Sequence, residues 1–183
     1  MQKSRNFIVE NQKLSQRDAF WTRVGEMMHD DHDIVIVVAD MSTPVFDKIR
    51  TNYSNRFFNV GIAEQNSVLV AAGLAKEGKK PFVFSIATFA TLRCFEQIRV
   101  ATSIMNLPVT IVGTGAGFSY DDAGPTHHLF EDIAVMRTQP HMVVNSISDN
   151  IMAKKIAEVS RNMKGPNYVR LERHINPNIY TVE

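Results

Sequence analysis

Apolar and polar positions along this chain fall into alternating blocks. Short continuous apolar runs are followed by longer stretches with helical spacing. Ile34-Val-Ile-Val-Val-Ala39 is the cleanest run, β-branched and without polar alternation, which predicts a central parallel strand covered on both faces. Phe57 to Val60, Phe82 to Ile86, Val109 to Val112, His141 to Asn145 and Tyr168 to Leu171 predict five more strands, the first of them buried. Ser15, with Asp18 three residues on, caps a helix running to about Met28, with Phe20, Val24, Met27 and Met28 on its apolar face and Trp21 partly buried beside them. A segment around Val45 to Ile49 reads as helical, with Asp40 as one candidate cap. Ile62 to Lys76 predicts a helix. So does Ala87 to Met105, capped by Thr88 or Ser85, with an apolar stripe of Phe89, Leu92, Phe95, Ile98 and Val100. Ser148 and Asp149 cap a last helix that Gly165-Pro166 ends. Six alternations of strand and helix predict an α/β fold, a doubly wound, mostly parallel six-stranded sheet with helices on both faces.

Composition narrows the function. The 183 residues suit one domain, and 44% apolar with 21% charged residues is ordinary for a globular chain. A formal net charge of +1 without a basic run gives no footprint for nucleic acid or a membrane surface. No apolar run reaches membrane-spanning length, and the opening Met-Gln-Lys-Ser-Arg-Asn-Phe-Ile lacks the apolar core of a signal peptide, so a cytoplasmic location is expected. Cys94 is the single cysteine, which excludes an intramolecular disulfide and reads as a buried, inert thiol.

Two tempting motifs fail on their context. His29-Asp-Asp-His-Asp33 is rich in metal-ligand types, but its adjacent spacing reads as a solvated loop, and no metal site is assigned. Gly113-Thr-Gly-Ala-Gly117 follows a strand, but its spacing is not that of a dinucleotide fingerprint. The turn-rich Phe-Ser-Tyr-Asp-Asp-Ala-Gly-Pro after it does not open a helix.

The stretch that carries chemistry is Arg56-Phe-Phe-Asn-Val-Gly-Ile-Ala-Glu-Gln-Asn66. It places Glu64 in the first turn of a helix just past a strand, the edge where ligands bind in open α/β sheets. A carboxylate there also offsets the helix dipole, and spacing alone leaves both roles open. As a set, these eleven residues resemble the pyrimidine-domain signature of transketolases and deoxyxylulose-phosphate synthases. Ala123-Gly-Pro-Thr-His-His128, followed by Glu131-Asp-Ile-Ala-Val-Met-Arg137, resembles a second signature of the same families. Phe89 to Arg99 resembles the segment that carries the ring packing on the cofactor pyrimidine. The resemblance covers about residues 15 to 172, between an N-terminal arm (1–14) and a C-terminal exit segment (173–183).

The resemblance implies thiamine diphosphate as cofactor. Glu64 would hydrogen-bond its aminopyrimidine and so activate it, Phe89 and Phe95 would offer aromatic surface to the ring, and Asp40 matches an Ala-Asp pair near the cofactor or the domain interface. His127 would line the substrate channel, acting on an oxygen of the reacting sugar, with His128 beside it. One departure stands out. Ala123 occupies the place of a family Asp that contacts the donor sugar, and Asp121 or Asp122 is the candidate substitute. No diphosphate- and Mg²⁺-binding motif is found, so the resemblance implies one part of an enzyme: the small subunit of a split transketolase, or a fragment of a longer chain. A large diphosphate-binding partner chain in a two-plus-two heterotetramer and ketol transfer between sugars or sugar phosphates follow as expectations. A non-catalytic regulatory module of the same fold and a subunit of a split thiamine-dependent decarboxylase are the alternatives.

Overall fold

The computed structural model describes residues 14–180; the predicted arm, apart from Leu14, lies outside the described residues. The elements follow in the order α1 (Gln16–Met27), β1 (Ile34–Val38), α2 (Pro44–Asn52), β2 (Phe57–Asn59), α3 (Glu64–Lys76), β3 (Lys80–Ile86), α4 (Ala87–Thr91) and α5 (Phe95–Gln97). A π-helical segment (Ile98–Ile104) continues α5, and β4 (Thr110–Thr114), α6 (Asp132–Met136), β5 (Val143–Ser146), α7 (Asn150–Arg161) and β6 (Asn167–Leu171) complete the fold. The six strands form one sheet in the order β2-β1-β3-β4-β6-β5, every pair parallel. The expected doubly wound architecture is therefore present.

Strand alternation sorts the core into two layers. Ile34, Ile36 and Val38 of β1, Phe82 and Phe84 of β3, Val112 of β4 and Val169 and Leu171 of β6 face α1, α2 and α7. Val37, Val83, Ile111 and Tyr168 face the opposite layer with Val68, Ala71, Ala90, Ile98 and Met136. Trp21, fully buried rather than partly so, centres the first layer, its ring 4.9 Å from Phe46, 5.1 Å from Phe84 and 5.3 Å from Phe20. Each such edge-on pair adds about 0.5–1.5 kcal/mol beyond the area it buries.

Local chemistry sets the ends. Ser15 caps α1 by accepting from the Asp18 N–H at 3.1 Å. Thr43, not Asp40, caps α2, accepting from the Val45 N–H at 3.1 Å, and Pro44 fills the first helical position, where its missing N–H costs nothing. Asp149 caps α7.

Three expectations change. β2 is an edge strand of three residues, not a buried one: Phe57 packs on Phe46 at 5.1 Å, while Phe58 and Asn59 are exposed because α3 crosses to β1 and β3 and leaves that side of β2 uncovered. β5 starts at Val143, since His141 takes a left-handed turn (φ 61°). The single helix from Ala87 to Met105 breaks into α4, a turn over 92–94, α5 and the π-helical segment. Neither Thr88 nor Ser85 caps it; the cap position is Ile86, without a side-chain bond. Side chains engage the carbonyls along this stretch: Thr91 Oγ1 donates to Ala87 O at 2.6 Å, Cys94 Sγ to Phe89 O at 3.1 Å and Thr102 Oγ1 to Ile98 O at 2.7 Å. The wider π turn rotates the stripe, so Ala90, Cys94, Ile98 and Thr102 face inward while Leu92 and Val100 face out.

Candidate functional site

The chain leaves β1 outward to β2 and returns past β1 to β3, so strand order reverses between β1 and β3. In such sheets ligands bind at the carboxyl ends of the strands beside that reversal. Asn59, at the end of β2, ties this edge together. Its Oδ1 accepts from the N–H groups of Asp40 and Gly61, each at 3.0 Å, and its Nδ2 donates to Asp40 Oδ1 at 3.2 Å. Asp40 is left-handed (φ 51°) and exposed, engaged in this stitch. Gly61, at φ 76°, then takes the turn that only glycine adopts without strain, and α3 begins three residues later at Glu64.

Glu64 is only 5% exposed although it opens a helix. Its carboxylate is not spent on the helix end. Oε2 accepts from Arg93 Nη1 at 2.9 Å, and among the described residues no other group donates to that carboxylate. Arg93 sits in the turn between α4 and α5, with its guanidinium carbon 4.0 Å from the centre of the Phe89 ring. Phe89 is half-buried on α4, and its ring lies 5.0 Å from that of His127 at 72°. Glu64, Arg93, Phe89 and His127 thus form one continuous surface.

The loop that carries His127 is held down at several points. It folds back on itself through an antiparallel bridge in which Gly117 N donates to Leu129 O at 2.6 Å and Leu129 N to Gly117 O at 3.1 Å. Thr88 of α4 reaches across, its hydroxyl donating to the carbonyl of His127 at 3.1 Å and lying 3.4 Å from that of His128. Thr126 Oγ1 is 3.0 Å from His127 Nδ1, which leaves Nε2 to face elsewhere. Tyr120, with Arg173 stacked on its ring at 4.2 Å, closes the far side at 6.1 Å from His127. His128 packs edge-on against Phe118 at 4.9 Å, and its Nε2 is buried with no hydrogen-bond partner among the described residues, a position that a bound ligand would satisfy.

The other predicted site residues stand apart. Phe95 is half-buried at the start of α5 and makes no ring contact with Phe89 or His127. Asp122 lies exposed in a 3₁₀ turn with Ala123, its carboxylate unbonded to His127. The acidic run after α1 is engaged at the opposite end of the sheet, where Asp31 pairs with Lys80 at 2.7 Å and Asp33 with Lys79 at 2.8 Å. Among the described residues no group of three or more His, Cys, Asp or Glu could hold a metal ion, and no helix is long and apolar enough to cross a membrane. Cys94 is fully buried beneath the site. Burial first, then the charge of Glu64, push its thiol up to about 12 against the opposing effect of Arg93, which leaves it inert as expected.

Sequence reasoning missed Arg93, Thr88 as a tether and Asn59 as a stitch. The one available signal for Arg93 was a charge set between Leu92 and Cys94 in an apolar stretch.

The arrangement suits an aminopyrimidine. A nearly buried carboxylate and an aromatic ring face converge on one place, and a histidine borders it. The profile of the family described as transketolase, pyrimidine binding domain matches residues 12–177. A putative transketolase C-terminal section of Methanocaldococcus jannaschii is 40% identical over 155 residues, 82% of this chain and 48% of that protein. One subunit of the apulose-4-phosphate transketolase of Phocaeicola vulgatus is 34% identical over 94% of this chain and 55% of its own length. Among solved structures, a split-gene transketolase described as an inactive beta4 tetramer superposes with a TM-score of 0.82 at 35% identity, over 92% of this chain and 54% of that one. The chain spans about half the length of these relatives.

Proposed function

The chain belongs to the family of transketolase pyrimidine-binding domains, and we propose that it is the pyrimidine-holding part of a thiamine diphosphate-dependent, transketolase-like transferase. The observation that carries this reading is the convergence of Glu64, Phe89 and His127 on one surface at the sheet edge where ligands bind. The cofactor, when bound, supplies a nucleophilic carbon that cleaves and re-forms a carbon–carbon bond beside a ketone. Glu64 shares a proton with a pyrimidine nitrogen from a nearly dry site, where a charge-assisted hydrogen bond is stronger than in water. Phe89 sets the plane of the ring by stacking. His127, its Nδ1 occupied by Thr126, presents Nε2 to an oxygen of the sugar and holds or returns a proton there. Asp40, Phe95, His128 and Asp122 are proposed at the margin of this site rather than at its centre.

A companion chain holding the diphosphate and Mg²⁺ completes the proposal. Ile62, Leu69, Leu92, Val100, Ile104 and Met105 are exposed on or beside α3, which carries Glu64, and the segment from 92 to 105, which carries Arg93, an apolar display of the kind that marks a protein interface. Relatives that carry this domain as a subunit or as part of a split gene support a heteromeric assembly; a two-plus-two tetramer is the proposed form. Ketol transfer between sugars or sugar phosphates is the proposed reaction, and Ala123 sets its donor apart from that of relatives carrying Asp there. The test is Glu64→Gln in the assembled enzyme. Ketol transfer falls at least about 100-fold, the lower range for losing a proton-transfer group, while the chain folds and assembles normally. Activity at the wild-type level would overturn the assignment.

A further inference from the structure

We infer that Arg93 is a placeholder for the pyrimidine: its guanidinium, bonded to Glu64 and lying on Phe89, holds the seat open and swings out when the cofactor ring enters. The inference rests on the reading of Glu64 and Phe89 given above. A guanidinium is planar and cationic, with an edge of N–H donors, and stacks on aromatic faces. It therefore makes the two contacts an aminopyrimidine needs in this seat, a hydrogen bond to the carboxylate and a stack on the ring. Arg93 makes both, at 2.9 Å and 4.0 Å.

Its mounting fits a part that moves. Arg93 comes from the turn between α4 and α5, not from the body of a helix, and its side chain is 44% exposed against 6% for that of Glu64. The backbone beneath it is pinned, with Gln65 Nε2 donating to the Arg93 carbonyl at 3.1 Å. Anchor and head are thus separate: the main chain is tied to α3 beside Glu64, and the guanidinium has water on its free flank. Without Arg93, a nearly buried carboxylate would stand with no donor among the described residues, which is costly. With it, the Glu64 carboxylate stays paired and aimed until the pyrimidine supplies a replacement bond.

A resident occupant lowers the apparent affinity of the incoming one by the fraction of time the seat is free. For an ion pair open to water on one side, backed by a cation–π contact, that reduction is about 3- to 10-fold. The test is calorimetric titration of Mg²⁺ and thiamine diphosphate into the chain assembled with its companion, comparing wild type with R93Q, R93K and E64Q. The placeholder predicts that R93Q binds about 3- to 10-fold tighter than wild type, with R93K, which keeps the charge but not the planar fork, in between. Affinity unchanged or weakened in R93Q would overturn it and leave Arg93 a permanent support of Glu64. In the assembly with its companion, the chain being labelled with ¹⁵N-arginine, the Arg93 side-chain resonance shifts at saturation with cofactor; a resonance that stays in place would also overturn it. E64Q separates the two levels of the argument. If E64Q binds cofactor like wild type, the reading of the seat itself fails. If E64Q weakens binding and R93Q does not tighten it, only the placeholder fails.

Discussion

Gly115→Ala is a test of how the His127 loop is built. Gly115 follows β4 at φ 82°, and a Cβ placed there would lie 2.1 Å from Tyr120 Cε2 and 2.6 Å from Cδ2. Carbon atoms rest about 3.5–4.0 Å apart, so the tyrosine ring must retreat by about 1.5 Å. It has little room to do so, because Arg173 is stacked on it at 4.2 Å and His127 lies 6.1 Å away. The left-handed backbone costs alanine about 1–2 kcal/mol, and forced overpacking adds about 1–3 kcal/mol. At about 2–4 °C per kcal/mol for a chain of this size, Tm falls by about 4–20 °C. Gly117 is the internal control. It has φ 58° in the same loop but nothing within 4 Å of its Cβ position, so Gly117→Ala carries only the backbone cost of about 1–2 kcal/mol. Thermal denaturation of both variants, and of Gly115→Ala in a Tyr120→Ala background, is the assay. The steric argument predicts that removing the ring brings the cost of Gly115→Ala down to that of Gly117→Ala. Equal losses for the two glycines in the wild-type background would refute it.

Two further outcomes follow from buried polar groups. The Tyr168 hydroxyl donates to Asp132 at 2.7 Å inside the core, and burial, then the Asp132 charge, raise its pKa well above the ordinary phenol value. Tyr168→Phe removes a hydrogen bond to a charged group worth about 1.5–3 kcal/mol, so Tm drops by about 3–12 °C, and a change within about 1 °C would show the bond to contribute nothing. Burial raises the Asp149 carboxyl, but the N–H groups of Met152, Tyr180 and Ile179 outweigh it and hold it below its ordinary 3.8. The stability from this depressed value is present above about pH 4 and is lost as pH falls through the folded value. The Tm gap between wild type and Asp149→Asn therefore narrows from pH 7 to pH 3, and a gap that widened toward acid would contradict the assignment.

Much of this fold could be read from the chain, for identifiable reasons. β1 was legible because a strand covered on both faces must be apolar throughout, and Ile34–Val38 is fully buried. α1 was legible from its cap. The stretch from Ala87 to Met105 was misread because its buried face, apart from Ile98, is built of small or polar residues, Ala90, Cys94 and Thr102, whereas the large Leu92, Val100, Ile104 and Met105 face outward. A pattern reading weights size, and here the large residues sit where the interface is proposed. The burial assigned to β2 failed for a topological reason, since nothing in Phe57–Val60 tells which strand lies at the edge. At the site, the motif placed Glu64, Phe89 and His127, and the structure joins them. Asp122 and Phe95 belong to matching segments, but their side chains do not meet that cluster. Arg93 was invisible because its pairing depends on a helix break 29 residues along the chain from Glu64.

The central claim is that this chain holds the pyrimidine end of a cofactor whose other end a companion chain grips. Calorimetric titration of thiamine diphosphate with Mg²⁺ into the chain alone, and then into its mixture with the diphosphate-binding companion, tests it most directly. The account predicts binding in the mixture only. Tight binding to the lone chain, or none to a mixture in which the complex has plainly formed, would contradict it.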